Sequence, residues 1–308
     1  MHEMRKPSLL IVGGASLLAL NLASQFITDF DVHLGSHLRK VNLQGTDTVA
    51  LNFDNSSKFW SSLDSIKPDL IINCVGLTSI ELCERDPSLA FFCNSEMACW
   101  QAEYAKRTGI DFVHISTDHL FDGKQSYYSE EVVKSPLNQY AISKSQGEDS
   151  VLEAYAASLV LRTNFFAWGT TYRESFSDFI IRSLRAKTPI KLFKDVHFTP
   201  VNAVSIAKYI IGLTAIGKRG VYNIATSKRI SKYEFGKALA HRFGLNIDLI
   251  IPDKIKNREN LVNRPLDMSL NNQKLSSALG GVQVTLEKEI DRLFYDEHSA
   301  WCREVKEK

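Results

Sequence analysis

The chain has 308 residues, enough for one large domain or two smaller ones around a sizeable core. Its 44% hydrophobic and 23% charged residues suit a soluble globular protein, and a net charge of +2 advertises no basic surface for nucleic acid. No apolar run approaches the roughly 20 residues that span a bilayer, and Met1 to Ser8 is charged and lacks a small-residue cleavage site. A cytoplasmic protein without membrane contact is the expectation. The five cysteines, Cys74, Cys83, Cys93, Cys99 and Cys302, are odd in number and hold no C-x-x-C spacing, so neither a disulfide framework nor a metal site is predicted. Cys93 and Cys99 sit in an apolar helical stretch and read as buried, unreactive thiols.

In chain order, Leu9-Leu10-Ile11-Val12 is a continuous apolar run, the mark of a buried strand. It breaks at Gly13-Gly14-Ala15-Ser16, and helical periodicity follows through Leu17, Leu18, Leu20, Leu22 and Phe26. Strand, small-residue turn and helix form the first unit of a dinucleotide-binding fold. The helix N-terminus there offers free N–H groups to a pyrophosphate, which makes Gly13, Ala15, Ser16 and Leu17 cofactor candidates. The second strand, Val32 to Ser36, has no acid at its end for a ribose 2′-hydroxyl. His37, Arg39 and Lys40 stand there instead and suit a 2′-phosphate, which favours NADP(H) over NAD(H); a solvated basic turn is the alternative.

Thr48 to Phe53 reads as a third strand, Ser56 to Ile66 as a helix, and Leu70 to Gly76 as a central strand. A helix spans about Ser88 to Thr108. Phe112, Val113 and Ile115 form the next strand, with Ser116 and Thr117 at its carboxyl end, where open α/β sheets place ligands. A helix is expected from Pro136, since proline suits a first turn. On it Tyr140 and Lys144 lie four apart and share a face. A nearby ammonium favours phenolate, so such a tyrosine can pass a proton to a carbonyl oxygen. Tyr233 and Lys237 repeat the spacing, but nothing like Ser116-Thr117 precedes them. Ser158 to Thr163 is a further strand, and Asn164 to Gly169 leaves it. Phe166 and Trp168 could wall a sugar or a base, or pack in a core. Helices are predicted at Phe176 to Arg185, Ala203 to Leu213, Lys232 to Phe243 behind a Ser231/Glu234 capping box, and Leu286 to Cys302; Gly220 to Ala225 is a short strand.

Ile115-Ser116-Thr117-Asp118-His119-Leu120-Phe121-Asp122-Gly123, Ser135-Pro136-Leu137-Asn138-Gln139-Tyr140, Lys144, Gly147-Glu148 and Asn263-Arg264-Pro265-Leu266-Asp267 together resemble the extended short-chain dehydrogenase/reductases, closest to the dTDP-4-dehydrorhamnose reductase branch. The likeness runs from Leu9 to about Phe294. It implies a doubly wound parallel sheet of the Rossmann type with a smaller C-terminal substrate lobe. Residues 1–162 with about 201–225 would form the dinucleotide-binding domain, and 163–200 with 226–308 the lobe. It further implies NADPH-dependent reduction of a nucleotide-linked 4-keto-6-deoxy sugar, with Thr117, Tyr140 and Lys144 as catalytic residues. Cys74, Val75, Gly76 and Thr78 would line the cofactor ribose and nicotinamide, with Ser116, Tyr140 and Lys144 beside them. Asn94 would order the site. Asn52 stands where relatives carry an adenine-contacting Asp, next to Phe53. Asp118, Phe121, Asn164, Trp168 and Arg264 would face the substrate, Arg264 as a diphosphate partner or a structural arginine. A homodimer is a candidate assembly.

The family turn G-x-x-G-x-x-G falls here on Gly13, Ser16 and Ala19. With Asn52, these departures favour a second reading, a non-catalytic NADP-binding subunit resembling the regulatory β subunit of methionine adenosyltransferase. The intact Thr117, Tyr140 and Lys144 oppose it.

Overall fold

Leu9, Leu10, Ile11 and Val12 are fully excluded from solvent, as a strand covered on both faces must be. They form β1 (Ser8–Val12) in a computed structural model that describes residues 5–37, 39–259 and 261–308. The expectation drawn from Met1 to Ser8 therefore lies partly outside the described residues. Around β1 run β2 (Asp31–Ser36), β3 (Thr46–Ala50), β4 (Leu70–Asn73), β5 (Asp111–Ile115) and β6 (Leu159–Thr163), with Gly220–Ile224 as the last strand. All pair in parallel, in the order Gly220–Ile224, β6, β5, β4, β1, β2, β3. This is the doubly wound sheet expected.

Strand alternation distributes the core between two faces. Leu9, Ile11, Ile72, Val113 and Leu161 pack with helices α1 (Leu17–Phe26), α8 (Ala203–Ala215) and α10 (Gln273–Ala278). Leu10, Val12, Ile71, Phe112 and Val160 pack on the other face with α2 (Ser56–Ile66), α5 (Met97–Thr108) and α6 (Gln139–Ala154). A separate core joins Phe166, Trp168, Phe198 and Ile250 to helices α7 (Phe176–Arg185), α9 (Lys232–Arg242) and α11 (Leu286–Asp296). The capping box of Ser231 and Glu234 opens α9 as anticipated.

Side-chain bonds to the backbone move several boundaries. β3 stops at Ala50, because Asn52 Oδ1 accepts the Asp54 N–H and turns the chain into α2. β4 stops at Asn73, whose side chain takes the Val75 N–H. The helix expected at Pro136 begins at Gln139, capped by Asn138, which accepts the Ala141 N–H. The stretch 81–87 is helical, as α3 (Ile80–Arg85) and the start of α4 (Pro87–Phe91), and a π-helical turn, Phe92–Glu96, leads into α5. The final helix is two, since Ser299 caps a separate α12 (Ala300–Glu307). Among the described residues no helix is long and apolar enough to cross a membrane.

Candidate active site

The turn after β1 shows why its glycines lie where they do. Gly13 has φ +83°, and a Cβ there would stand 2.9 Å from the Val75 nitrogen. A Cβ on Gly14 would meet the Leu34 backbone at 2.9 Å. Close approach is thus needed at 13 and 14. Position 16 needs a cap, and Ser16 provides it by accepting the Ala19 N–H; Ala19 is fully buried. The departures at 16 and 19 leave the turn open to a ligand.

Two adjoining cavities of about 500 and 260 Å³ run beyond this turn along the carboxyl ends of the strands. Between them they gather Gly13, Ala15, Ser16, Leu17, His37, Arg39, Cys74, Val75, Gly76, Thr78, Ser116, Tyr140 and Lys144. Ser116 Oγ is buried with no hydrogen-bond partner, an open polar group in the wall. Asn52 and Phe53 stand outside both cavities. Asn52 is exposed and occupied with the Asp54 N–H, while Phe53 stacks on Phe59 and presents an edge to His37. The segment 169–174 spans the cleft from the lobe. Tyr172 donates to the Ala15 carbonyl (2.7 Å), Arg173 donates to Thr78 Oγ1 (2.9 Å), and Arg39 stacks on the Tyr172 ring at 4.0 Å. Tyr172 and Arg173 gave no sequence signal, because their contacts lie about 95 to 157 residues away.

Helix α6 is fixed from two sides. Arg162 on β6 forks onto Glu148, with Nε–Oε1 at 2.9 Å and Nη2–Oε2 at 2.8 Å, and both side chains are buried. On the other side Gly147 lies so close to the Asn94 carbonyl that a Cβ would stand 2.2 Å from it. The π-helical turn aims the Asn94 amide at the Leu77 N–H (2.8 Å), the Leu77 carbonyl (3.1 Å) and Ser143 Oγ (2.9 Å). Asn94 therefore ties the loop after β4 to α6 between Tyr140 and Lys144.

Burial pushes the Tyr140 phenol above its ordinary value; a hydrogen bond with Thr117 opposes this, and the charges of Asp118 and Cys83 add to it. The expected lowering by Lys144 is not what the structure shows. Lys144 Nζ donates to the Ile115 carbonyl at 2.7 Å and lies 3.4 Å from His114 Nε2. Burial pushes that ammonium down to about 8, against the charges of Glu148 and Cys74. Desolvation dominates at both groups, and at Lys144 it outweighs the charge of its helix-mate Glu148.

A third cavity, of about 490 Å³, opens on the lobe side. It is lined by His119, Lys191, Lys232, Arg258 and Arg264 among Phe176, Phe179 and Phe193, and by no carboxylate. Arg264 pairs with Glu81, and Arg258 with Asp253 at 3.3 Å; Lys191 and Lys232 form no ion pair among the described residues. Lys232 sits over the Phe198 ring at 3.3 Å. Burial lowers the Lys232 ammonium and raises the Asp118 carboxyl, each opposed by the other's charge. Burial pushes His119 down to about 3, helped by the charges of Lys232 and Arg264, so its ring is neutral. That ring meets the Tyr140 ring edge-on, centroids 5.6 Å apart. The dinucleotide-side cleft and the lobe cavity therefore adjoin at Tyr140 and His119.

Of the residues expected to face substrate, only Arg264 lines this cavity. Phe121 is fully buried and stacks on Tyr128 at 4.1 Å, so it serves a local core. Trp168 is buried in the lobe, its Nε1–H donated to the Leu293 carbonyl (2.8 Å) and its ring under Lys306. Asn164 donates to Asp118 (2.8 Å) and orients it from behind, while Asp118 acts on the pocket through Lys232. Cys93 and Cys99 are half-buried, not fully so; burial still raises both thiols, Cys99 to about 11.

A dTDP-4-dehydrorhamnose reductase of Aggregatibacter actinomycetemcomitans is 28% identical over 286 residues, covering 88% of this chain and 93% of that protein. The probable low-salt glycan biosynthesis reductase Agl14 of Haloferax volcanii is 29% identical over 235 residues, 75% of this chain and 78% of its own. Among solved structures, a hypothetical dTDP-4-dehydrorhamnose reductase from Sulfolobus tokodaii superposes with a TM-score of 0.79 at 26% identity, covering 94% of this chain and 98% of that one. The Bacillus anthracis dTDP-4-dehydrorhamnose reductase in complex with NADP gives 0.81 at 22% identity, covering 94% and 99%. The RmlD substrate binding domain model matches residues 7–298, nearly the whole of the sheet and lobe just described, and the chain belongs to that family.

Proposed function

We propose that the chain is an NADPH-dependent oxidoreductase that reduces the keto group of a nucleotide-linked 4-keto-6-deoxy sugar, in deoxysugar or surface polysaccharide biosynthesis. One observation carries the reading: Tyr140 stands at the wall between the dinucleotide cleft and the cation-lined cavity, with its ring on His119.

The cleft suits a dinucleotide. The Gly13 cradle would be filled by a Cβ, Ser116 Oγ is unpartnered, and Arg39 and Arg173 bring positive charge to its rim. Arg39 and His37 would take a 2′-phosphate, so NADP(H) is preferred and NAD(H) tolerated. When bound, the nicotinamide supplies a hydride. The chain's own residues do the rest. Thr117, partner of the Tyr140 hydroxyl, orients the carbonyl. Tyr140 delivers the proton to the oxygen as it gains negative charge. A phenol kept high by burial stays protonated until that moment, which suits a donor. Lys144 holds a positive charge within the site, and Lys232, Lys191, Arg258 and Arg264 answer a diphosphate beside aromatic faces that suit a base.

The division of labour we propose gives 1–162 and 201–225 to the cofactor and 163–200 and 226–308 to the nucleotide sugar. A cytoplasmic enzyme goes with the reading, and a homodimer is its assembly to test by light scattering. The regulatory-subunit alternative drew on Ser16, Ala19 and Asn52; the first two are accommodated by a cap and by packing, so the enzyme is the better reading. The direct test is NADPH consumption by the purified chain with a panel of keto-sugar nucleotides. Turnover supports the reading; cofactor binding without turnover across the panel favours the subunit.

A further inference from the structure

His114 is a buried titratable group beside the site that the proposed reaction does not use. It lies on β5, fully buried, with its two ring nitrogens held by different partners. Asn73 Nδ2 lies 3.0 Å from Nδ1, and Lys144 Nζ lies 3.4 Å from Nε2. Asn73 is fully buried too, and its Oδ1 accepts the Val75 N–H at 2.9 Å.

These contacts set the tautomer. Because the Val75 N–H must meet an oxygen, the Asn73 amide presents its NH2 to His114. Nδ1 is then the acceptor, and the ring proton sits on Nε2. A protonated Nε2 faces Lys144, whose ammonium has only donors. Turning the amide over would place NH2 against the Val75 N–H instead. One donor must face another in either arrangement. Only at Lys144 can the mismatch be relieved, since the ammonium can lose a proton and a backbone N–H cannot. On losing it, the amine gains a lone pair that accepts the Nε2–H, while its own N–H still reaches the Ile115 carbonyl.

We infer that His114, locked by Asn73 as the Nε2–H tautomer, is a positioning residue that disfavours the ammonium form of Lys144 and sets the alkaline limit of reduction. This rests on the reading of Tyr140 and Lys144 given above. The other groups facing Lys144 pull in known directions. Glu148 on its own helix favours the ammonium but is already shared with Arg162 and with Lys134 at 3.5 Å. Cys74, from beyond β4, is held as a thiol by burial. Tyr140 is protonated. His114 is thus the neighbour whose hydrogen-bonding edge opposes the charge.

The test has two arms on the full chain. In the first, the chain is labelled with heavy nitrogen in its eight histidines, and His114 is assigned by its loss in His114→Phe. Its spectrum should report a neutral Nε2–H ring from pH 6 to 9, on the order of the range a working buffer series spans; an Nδ1–H ring or an imidazolium overturns the inference. This arm needs no turnover, so it stands even if no sugar is reduced. In the second, kcat for reduction is followed against pH. In His114→Phe the alkaline limb should move up by about one pH unit. Asn73→Asp, whose carboxylate accepts from Nδ1–H and so moves the ring proton away from Nε2, should move it the same way if His114→Phe does not fold. A limb that stays in place in a folded variant overturns the inference.

Discussion

Two tyrosine–lysine pairs in this chain share a spacing and nothing else. Tyr140 and Lys144 are almost fully buried, between the carboxyl end of β5 and the lobe. Tyr233 is half-buried and Lys237 exposed on α9, and their only relation is a loose cation–π contact of 5.5 Å. The i,i+4 spacing makes neighbours on any helix. What sets the first pair apart is its surroundings: Thr117 at the phenol, the Ile115 carbonyl and His114 at the amine, and a cavity on each side. The residue of α9 that matters is Lys232, one position before the decoy tyrosine, because its side chain alone enters the lobe cavity.

The comparison is broken most sharply at the phenols. Tyr140→Phe should lower kcat by about 10² to 10⁴, the usual worth of a positioned proton donor, with NADPH affinity kept. Tyr233→Phe should leave steady-state kinetics unchanged, and equal losses in the two variants would erase the distinction. The helix itself comes next. Arg162→Leu leaves the buried Glu148 with only Lys134 at 3.5 Å and should cost about 3 kcal/mol in urea unfolding, the lower end of what breaking a buried pair costs. Lys232→Met should raise KM for the nucleotide sugar by about tenfold to a hundredfold, the worth of one charged hydrogen bond, while Lys237→Met leaves it alone. The smallest effect is at the cofactor rim, where Arg39→Ala should weaken NADPH about tenfold and NADH hardly at all, read by fluorescence titration.

Acidity offers a further handle on the buried pair. Lys144 is pushed down to about 8, so its ammonium is present below that pH and lost above it. Reduction should therefore fall as pH rises through about 8. Lys144→Met should remove that limb along with most of the activity.

The sheet was legible where its strands are continuous apolar runs, as at residues 9–12 and 70–72, and the candidate site could be proposed where its parts lie close in sequence: Ser116 with Thr117, and Tyr140 with Lys144. Reading failed where position depends on distant chain. Trp168 and Phe121 carry the same aromatic character whether they wall a pocket or fill a core, and only the partners Leu293 and Tyr128 decide. Lys232, Arg258 and His119 converge on one cavity from separate segments, and no local pattern announces it. The effect of Lys144 on Tyr140 was misjudged because spacing reports proximity and is silent on desolvation, which dominates in a buried site. The glycine turn looked degraded because a family pattern counts positions, whereas the backbone needs glycine at Gly13 and Gly14 and accepts a capping serine at 16.

The proposed reduction requires a carbonyl to meet a hydride donor beside Tyr140. Mixing the purified chain with NADPH deuterated at the transferring position and a dTDP-linked 4-keto-6-deoxy sugar, then weighing the sugar by mass spectrometry, addresses this in one step. The account predicts a reduced product carrying one deuterium with the native chain, and almost none with Tyr140→Phe. Nucleotide sugar recovered unreduced from the native chain, or equal deuterium uptake in the variant, would contradict it.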